Sequence, residues 1–265
     1  MAQDSISAHS IGMTFTRQGV QHEVLSELNI EIPSGGFVSL LGPSGCGKST
    51  LLKILGGLQA PSTGSVRIGD DDVMTAVKKG KIGLVQQKAA LLPWKTALDN
   101  AAFLIELSKE KVSRVEARRR AMEALEIVGL GQAANKLPHE LSGGMAQRVS
   151  IARALALDPA ILYMDEPFGA LDAITRDQMN TLLQELWQTT GKTVVFVTHS
   201  ISEAVFLSDT VHMMGANPGR ITLSQGIDLP RPRDGRSSTT AEFIAYEDIL
   251  REQLDLNVEA GRSAA

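Results

Sequence analysis

Four short runs along the chain are almost wholly apolar: FVSLL at 37–41, ILYM at 161–164, VVFV at 194–197 and VHMM at 211–214. A strand with one wet face alternates apolar and polar residues. Unbroken apolar runs of this length instead predict parallel strands covered by helices on both faces. The first three runs each lead directly into polar residues: GPSGCGKS, DEP and TH. Open parallel sheets bind ligands beyond the carboxyl ends of their strands. Three strand ends are therefore predicted to converge on one site.

Between these runs the pattern changes to a helical period. Met179, Leu182, Leu183, Leu186 and Trp187 form the i, i+3, i+4, i+7, i+8 stripe of an amphipathic helix. Ser200 and Glu203, in SISE, have capping-box spacing and predict a helix start just after the TH pair. The segment 100–136 is charged and helical in composition, and belongs to a helical unit predicted over 88–158. Its basic run, KEKVSRVEARRR at 109–120, reads as a solvated helix face rather than a nucleic-acid patch, given Glu110 and Glu116. Alternating segments at 11–35, among them LNIEI, predict antiparallel strands near the start. After Pro230 the chain reads as a loop, then a short helix near 240–254, with the final EAGRSAA loose.

The fold class that follows is α/β. A mostly parallel core sheet carries an N-terminal antiparallel β subdomain and an inserted α-helical subdomain. The predicted division is a core from 1–87 and 159–230, a helical unit at 88–158 and a C-terminal extension at 231–265. A length of 265 residues suits this plan, and 43% hydrophobic with 21% charged residues is an ordinary globular balance. The net charge of −4 lacks the basic excess of a general nucleic-acid binder. The single cysteine, Cys46, excludes an intrachain disulfide and fits a reducing compartment. The polar N-terminus has no signal-peptide core, and no run approaches a membrane span, so action at a membrane would need another chain to supply it.

GPSGCGKST at 42–50 matches G-x-x-x-x-G-K-[ST] in full and lies between an apolar strand and an apolar helix, TLLKILGGL. Its residues Gly42, Pro43, Ser44, Gly45, Cys46, Gly47, Lys48, Ser49 and Thr50 form a candidate phosphate loop. Glycines let backbone N–H groups turn inward around an anion, and the helix start adds its dipole. Lys48 is expected to reach the β- and γ-phosphates of a nucleoside triphosphate, and the Ser49 hydroxyl to ligate Mg2+. ILYMDEP then places Asp165 and Glu166 at the end of a buried strand. In phosphate-loop enzymes an Asp there orients Mg2+, through water, and a neighbouring carboxylate polarises the attacking water. Adjacent strand residues point in opposite directions, so the two roles are separable unless the strand has ended.

A second helix start suited to an anion lies at LSGGM, 141–145. Ser142 is placed to cap it, and Gly143 and Gly144 leave backbone N–H groups free. By itself this reads first as a plain capped helix with a glycine hinge. The order of motifs decides between the two readings. A phosphate loop, LSGGM-x-QR, ILYMDEP, GALD and VTH resembles the ATP-binding subunit of an ATP-binding-cassette (ABC) transporter over about 11–225.

The resemblance implies further roles. Gln87 matches a glutamine that touches Mg2+ and reports to the membrane subunit, although Gln86 stands where relatives commonly carry an aromatic. His199 matches a histidine that contacts the γ-phosphate, and Asp172 matches the aspartate of the loop before the next helix. Phe15 sits where the family stacks an aromatic on adenine, with core packing as its alternative. Ser142, Gly143 and Gly144 are implied to bind the ATP held by a second copy of the chain, head to tail, so that two chains sandwich two nucleotides. Met145 replaces the commoner glutamine of that signature.

LLPWKTALDNAAF at 91–103, the run 168–192 and THSISEAVFLSDTVHMMGANPGRI at 198–221 resemble the bacterial importer ATPases for taurine, aliphatic sulfonates and nitrate. The stretch after Gly226 is too short for the extra β-domain of sugar importers. The resemblance implies a peripheral protein on the cytoplasmic face of the bacterial inner membrane. It would work with integral-membrane permease subunits and, indirectly, an extracytoplasmic solute-binding protein, and not with nucleic acid. Thiamine-precursor import, lipid traffic and a soluble non-transport cassette are the alternatives.

Overall fold

The computed structural model describes residues 4–17, 19–108 and 112–263. An N-terminal sheet is built from β1 (Ile6–Arg17), β2 (Val20–Ile32), β4 (Thr63–Ile68) and the short β5 (Asp71–Asp72), in the antiparallel order β2-β1-β4-β5. Between β2 and β4 the chain makes β3 (Phe37–Leu41) and α1 (Lys48–Leu55). It continues through α2 (Val73–Lys78) and β6 (Ile82–Val85) into α3 (Ala97–Leu107), α4 (Arg114–Ile127) and α5 (Gly143–Leu155). It returns through β7 (Ile161–Asp165), α6 (Ala173–Thr190), β8 (Thr193–Thr198), α7 (Ile201–Leu207), β9 (Thr210–Gly215) and β10 (Arg220–Gly226), and ends in α8 (Ala241–Ser263).

The core sheet has the order β10-β9-β3-β8-β7-β6, parallel throughout except for the β10 edge. The four apolar runs are β3, β7, β8 and β9. Their lack of alternation has a direct cause, since each strand is buried on both faces. In β8, Val194 and Phe196 join one core, and Val195 and Val197 join the other. In β7, Leu162 and Met164 face the first core, and Ile161 and Tyr163 the second. The first core is closed by the helices α3 to α8, and the second by α1 and the antiparallel sheet. Tyr163 is fully buried yet satisfied, its hydroxyl donating to Leu55 O at 2.9 Å.

Two strands escaped the apolar pattern. β6 is four residues of IGLV with alternate burial, and β10 alternates exposed and half-buried positions as an edge strand does. The stripe predicted over 179–187 does face the core, with Met179, Leu183 and Leu186 buried and Leu182 and Trp187 packed against them. The basic run folds as an ion-paired helix face for its described part. Arg119 and Arg120 hold Glu116 at 2.7 and 3.0 Å, and Arg118 pairs with Asp99. Residues 109–111 of that run, including Glu110, lie outside the described residues.

The C-terminal extension departs from expectation. Its helix runs from Ala241 to Ser263 rather than stopping near 254, so 259–263 are helical; 264–265 lie outside the described residues. Buried Phe243 and Leu250 seat it, and Asn257 Nδ2 donates to Thr222 Oγ1 at 2.9 Å. The loop before it is stapled by Arg233, only 1% exposed. Its guanidinium donates to the carbonyls of Val205 at 2.6 Å and Ser208 at 2.8 Å, closing the end of α7.

His212 on β9 is buried, with Nδ1 against Ser224 Oγ at 2.8 Å and Nε2 unpartnered. Burial holds its pKa down to about 4, against 6.5 for an exposed imidazole. The unfolded chain therefore takes up the proton first. The stability gained from a neutral His212 is complete above pH 6.5 and is lost as pH falls from 6.5 toward 4, on the order of 3 kcal/mol. The melting temperature of His212→Met should fall less steeply over that window than that of the unaltered chain. Parallel slopes in a pH series of melting curves would remove His212 as the cause.

Candidate active site at the carboxyl edge of the core sheet

The neighbours β3, β8, β7 and β6 are parallel, so their carboxyl ends lie side by side. Each delivers one piece of chemistry: the loop after Leu41, His199 after Thr198, Glu166 after Asp165, and Gln87 just beyond Val85. β3 reaches the site through Gly42, whose missing Cβ leaves room for the carbonyl of Met214. The loop then turns into α1 at Gly47, which has φ +97 and whose Cβ would stand 2.6 Å from Leu25 Cδ2. Both the left-handed backbone and the close approach require glycine.

Lys48 is only 6% exposed and curls back inside the loop, with Nζ donating to Gly42 O at 2.7 Å and Pro43 O at 2.9 Å. Its ammonium thus stands at the concave side of the loop, already desolvated. Cys46 lies beneath it with Sγ 3.8 Å from Lys48 Nζ, and burial pushes its thiol pKa up, so it is a packing residue. Ser44 and Gly45 are exposed at the loop tip, and Pro43 and Thr50 are half-buried.

The Ser49 hydroxyl donates to Asp165 Oδ1 at 2.8 Å, joining the start of α1 to the end of β7. The backbone then breaks from strand geometry. Glu166 has φ +43, a left-handed conformation held by Glu166 N–H to Val197 O at 3.0 Å and Gly169 N–H to Glu166 O at 3.2 Å. Such a residue costs about 1 kcal/mol or more. The strand has thus ended at Asp165, so the turn and not strand alternation separates the two carboxylates: Asp165 faces Ser49, and Glu166 faces the other strand ends. Glu166 Oε2 accepts from Gln87 Nε2 at 3.4 Å and lies 3.4 Å from His199 Nδ1. Gln87 and His199 are exposed, so this carboxylate corner is open to a ligand.

These oxygens suit one cation. A hydroxyl, a carboxylate and the amide oxygen left free on Gln87 make a sparse, hard, all-oxygen set. That matches Mg2+, which keeps several waters and avoids full protein cages. Among the described residues there is no group of three or more His, Cys, Asp or Glu side chains that would hold a metal by themselves.

The other predicted residues lie apart. Ser142 caps α5, accepting from Met145 N–H at 3.3 Å, with Ser142 and Gly143 exposed. Gly144 is buried because the start of α6 leans on it; a Cβ there would stand 2.6 Å from Thr175 Cγ2. Asp172 caps α6 through Thr175 N–H at 3.0 Å and Thr175 Oγ1 at 2.7 Å, bonds that hold its carboxyl below the usual range. Among the described residues, no hydrogen bond or ion pair joins Ser142, Gly143, Gly144 or Asp172 to the 42–50 loop. Phe15 is 41% exposed on β1, so it is not a core residue. Met145 packs against the apolar core through its side chain, which gives this departure from the signature a packing role. A larger cleft, about 1000 Å³ between Lys79, Arg119 and Lys192, contains none of these residues, and those three cations are ion-paired.

Sequence reasoning missed two side chains that hold the Gln87 loop. Gln147 Nε2 donates to Gln86 O at 3.0 Å, and Arg153 donates to Ala90 O at 2.9 Å and Ala89 O at 2.8 Å. Both come from α5, the helix that Ser142 caps. The Ser200–Glu203 box is also only half formed. Ser200 accepts from Glu203 N–H at 3.3 Å, but the Glu203 carboxylate turns inward to Thr198.

The ABC transporter family profile matches residues 25–169. The taurine import ATP-binding protein of Rhizobium johnstonii is 46% identical over 254 residues, which cover 94% of this chain and 95% of that one. The nitrate import ATP-binding protein of Synechococcus elongatus is 38% identical over 245 residues, 92% of this chain and 88% of that one. A solved dimeric ATP-binding cassette in a post-hydrolysis state, bound to ADP and phosphate, superposes with TM-score 0.75 at 35% identity, over 85% of this chain and 100% of that one.

Proposed function

Because the chain belongs to the ABC transporter family, as an ATP-binding cassette that hydrolyses ATP with Mg2+, we propose that it powers a bacterial import system for a small anionic solute. Taurine, another alkanesulfonate or nitrate is the best match among solutes. The observation that carries the catalytic reading is the meeting of Gln87 and His199 on Glu166 Oε2, one residue from the Ser49–Asp165 pair.

In this reading the 42–50 loop wraps the phosphates with its N–H groups. The Lys48 ammonium exchanges its two carbonyl acceptors for β- and γ-phosphate oxygens. Ser49, Gln87 and, through water, Asp165 would hold Mg2+, which when bound would neutralise phosphate charge. Glu166 takes the proton of the attacking water, and His199 orients the γ-phosphate against it. Phe15 stacks on adenine. Ser142, Gly143 and Gly144 complete the site of a second copy, and Asp172 stands at the same interface. The division into 1–87 with 159–230, 88–158 and 231–265 belongs to this proposal.

The permease would dock beside the Gln87 loop, on the cytoplasmic face of the inner membrane. An apolar cleft of about 370 Å³ lies there, lined by Leu58, Val77, Leu84, Leu92, Phe103 and Arg153. Trp94 is 73% exposed on the loop leading into it. Arg153 both lines this cleft and holds Ala89 and Ala90, so a helix pressed into the cleft would act on the Gln87 loop directly. No described helix is long and apolar enough to cross a membrane.

A deletion strain tests the reading through uptake of labelled taurine and labelled nitrate. Uptake of one should fall to background and return with the unaltered gene, but not with Glu166→Gln. Undiminished uptake of both would remove taurine and nitrate as the solute.

A further inference from the structure

Glu203 is a buried carboxylate with no part in the chemistry above, yet it lies next to it. It is 6% exposed. Its Oε2 accepts from Thr198 Oγ1 at 2.5 Å, and the same Thr198 oxygen accepts from Ser200 N–H at 2.9 Å. One carboxylate thus braces the residues on both sides of His199. Its other oxygen, Oε1, is ion-paired with Arg176 Nε at 3.5 Å, a long contact without hydrogen-bond geometry. Arg176 Nε is buried and has no hydrogen-bond partner, while Nη2 of the same guanidinium donates to Leu171 O at 2.9 Å.

The groups therefore form a chain from Leu171 through Arg176, Glu203 and Thr198 to Ser200, with one long link, the Arg176–Glu203 ion pair. Its outer end is a loop at the surface. Asp172 and Ala173 are exposed, Ile174 is 73% exposed, and Thr175 packs on Gly144 beside exposed Ser142 and Gly143. A buried N–H without an acceptor is unfavourable, so a small shift of α6 that supplies one is favoured. The bond it would form is charge-assisted and short.

We propose that Arg176 and Glu203 are positioning residues that tie the 169–172 loop to the His199 turn. When a second copy seats on the 142–143 and 171–174 surface, the Arg176–Glu203 ion pair tightens into a hydrogen bond and His199 is fixed against Glu166. This rests on the head-to-tail reading above.

The test compares ATP turnover by the full-length chain with that of Glu203→Gln, Arg176→Met and the double variant. Glu203→Gln keeps an acceptor for Thr198 and removes the charge. Each single variant should lose about tenfold in kcat with KM for ATP within about twofold, and the double should lose no more than one single. In a Glu166→Gln background, both should still form the ATP-bound dimer to the usual extent in gel filtration. A variant that melts early is replaced by Thr198→Val, which cuts the same chain at its other end and should show the same loss. Unchanged kcat in folded variants, multiplying losses in the double, or dimer formation lost in step with kcat would overturn the proposal. A Glu166→Gln chain that stays monomeric with ATP would instead overturn the head-to-tail reading, so the two failures are distinct.

Discussion

Glu166→Gln is expected to bind ATP as the unaltered chain does, to turn it over at least about a hundredfold more slowly, and to accumulate as an ATP-bound dimer. The amide is isosteric, so the contacts at 3.4 Å to Gln87 and His199 can persist. It cannot take a proton from water. The left-handed backbone at φ +43 is as accessible to Gln as to Glu, so the turn that separates this side chain from Asp165 is undisturbed. Saturating Mg-ATP kinetics and gel filtration with ATP measure both halves of the prediction. A variant that hydrolyses ATP at the usual rate would remove Glu166 as the general base and leave His199 as the alternative.

The second large effect concerns the distance between the 42–50 loop and Ser142. Lys48→Ala should lose nucleotide affinity by roughly tenfold to a hundredfold, since it removes charge-assisted bonds made at a desolvated position. Ser142→Arg should bind ATP but turn it over poorly, because the bulky cation obstructs an exposed helix start that another chain must approach. Mixed in equal amounts, the two inactive chains should regain activity. Each mixed dimer contains one site made from an intact loop and an intact Ser142. With half the dimers mixed and one good site in each, recovery is roughly a quarter of the unaltered rate if sites act independently. No recovery in dimers shown to exchange subunits would sink the composite site, as would full activity from a monomer at high dilution.

The parts of the fold readable in advance were those with a strong local cause. β3, β7, β8 and β9 announced themselves because burial on both faces leaves few polar positions in a strand. β6 did not, because four residues with half-buried Ile82 and Leu84 and a glycine pressed under Pro159 carry too little pattern. α8 outran its predicted end because Asn257, a polar residue, is buried against Thr222, and no local pattern marks such a contact. In the site, the loop glycines, Lys48, Ser49, Asp165 and Glu166 were legible from chemistry and order. Gln147, Arg153 and Arg176 were not, because each acts by donating to a backbone carbonyl, and every residue offers one.

The sequence by itself determined which strands are buried, which loop grips phosphate and which carboxylates follow a strand. Those features depend on a residue and its near neighbours. Only the tertiary structure decided that Glu166 turns away from Asp165, that Gln87 and His199 meet on one of its oxygens, and that Arg176 and Glu203 pair at 3.5 Å. Those facts depend on how strand ends and helix starts from distant segments are brought level. Packing across the whole sheet fixes that alignment, and no single stretch of the chain encodes it.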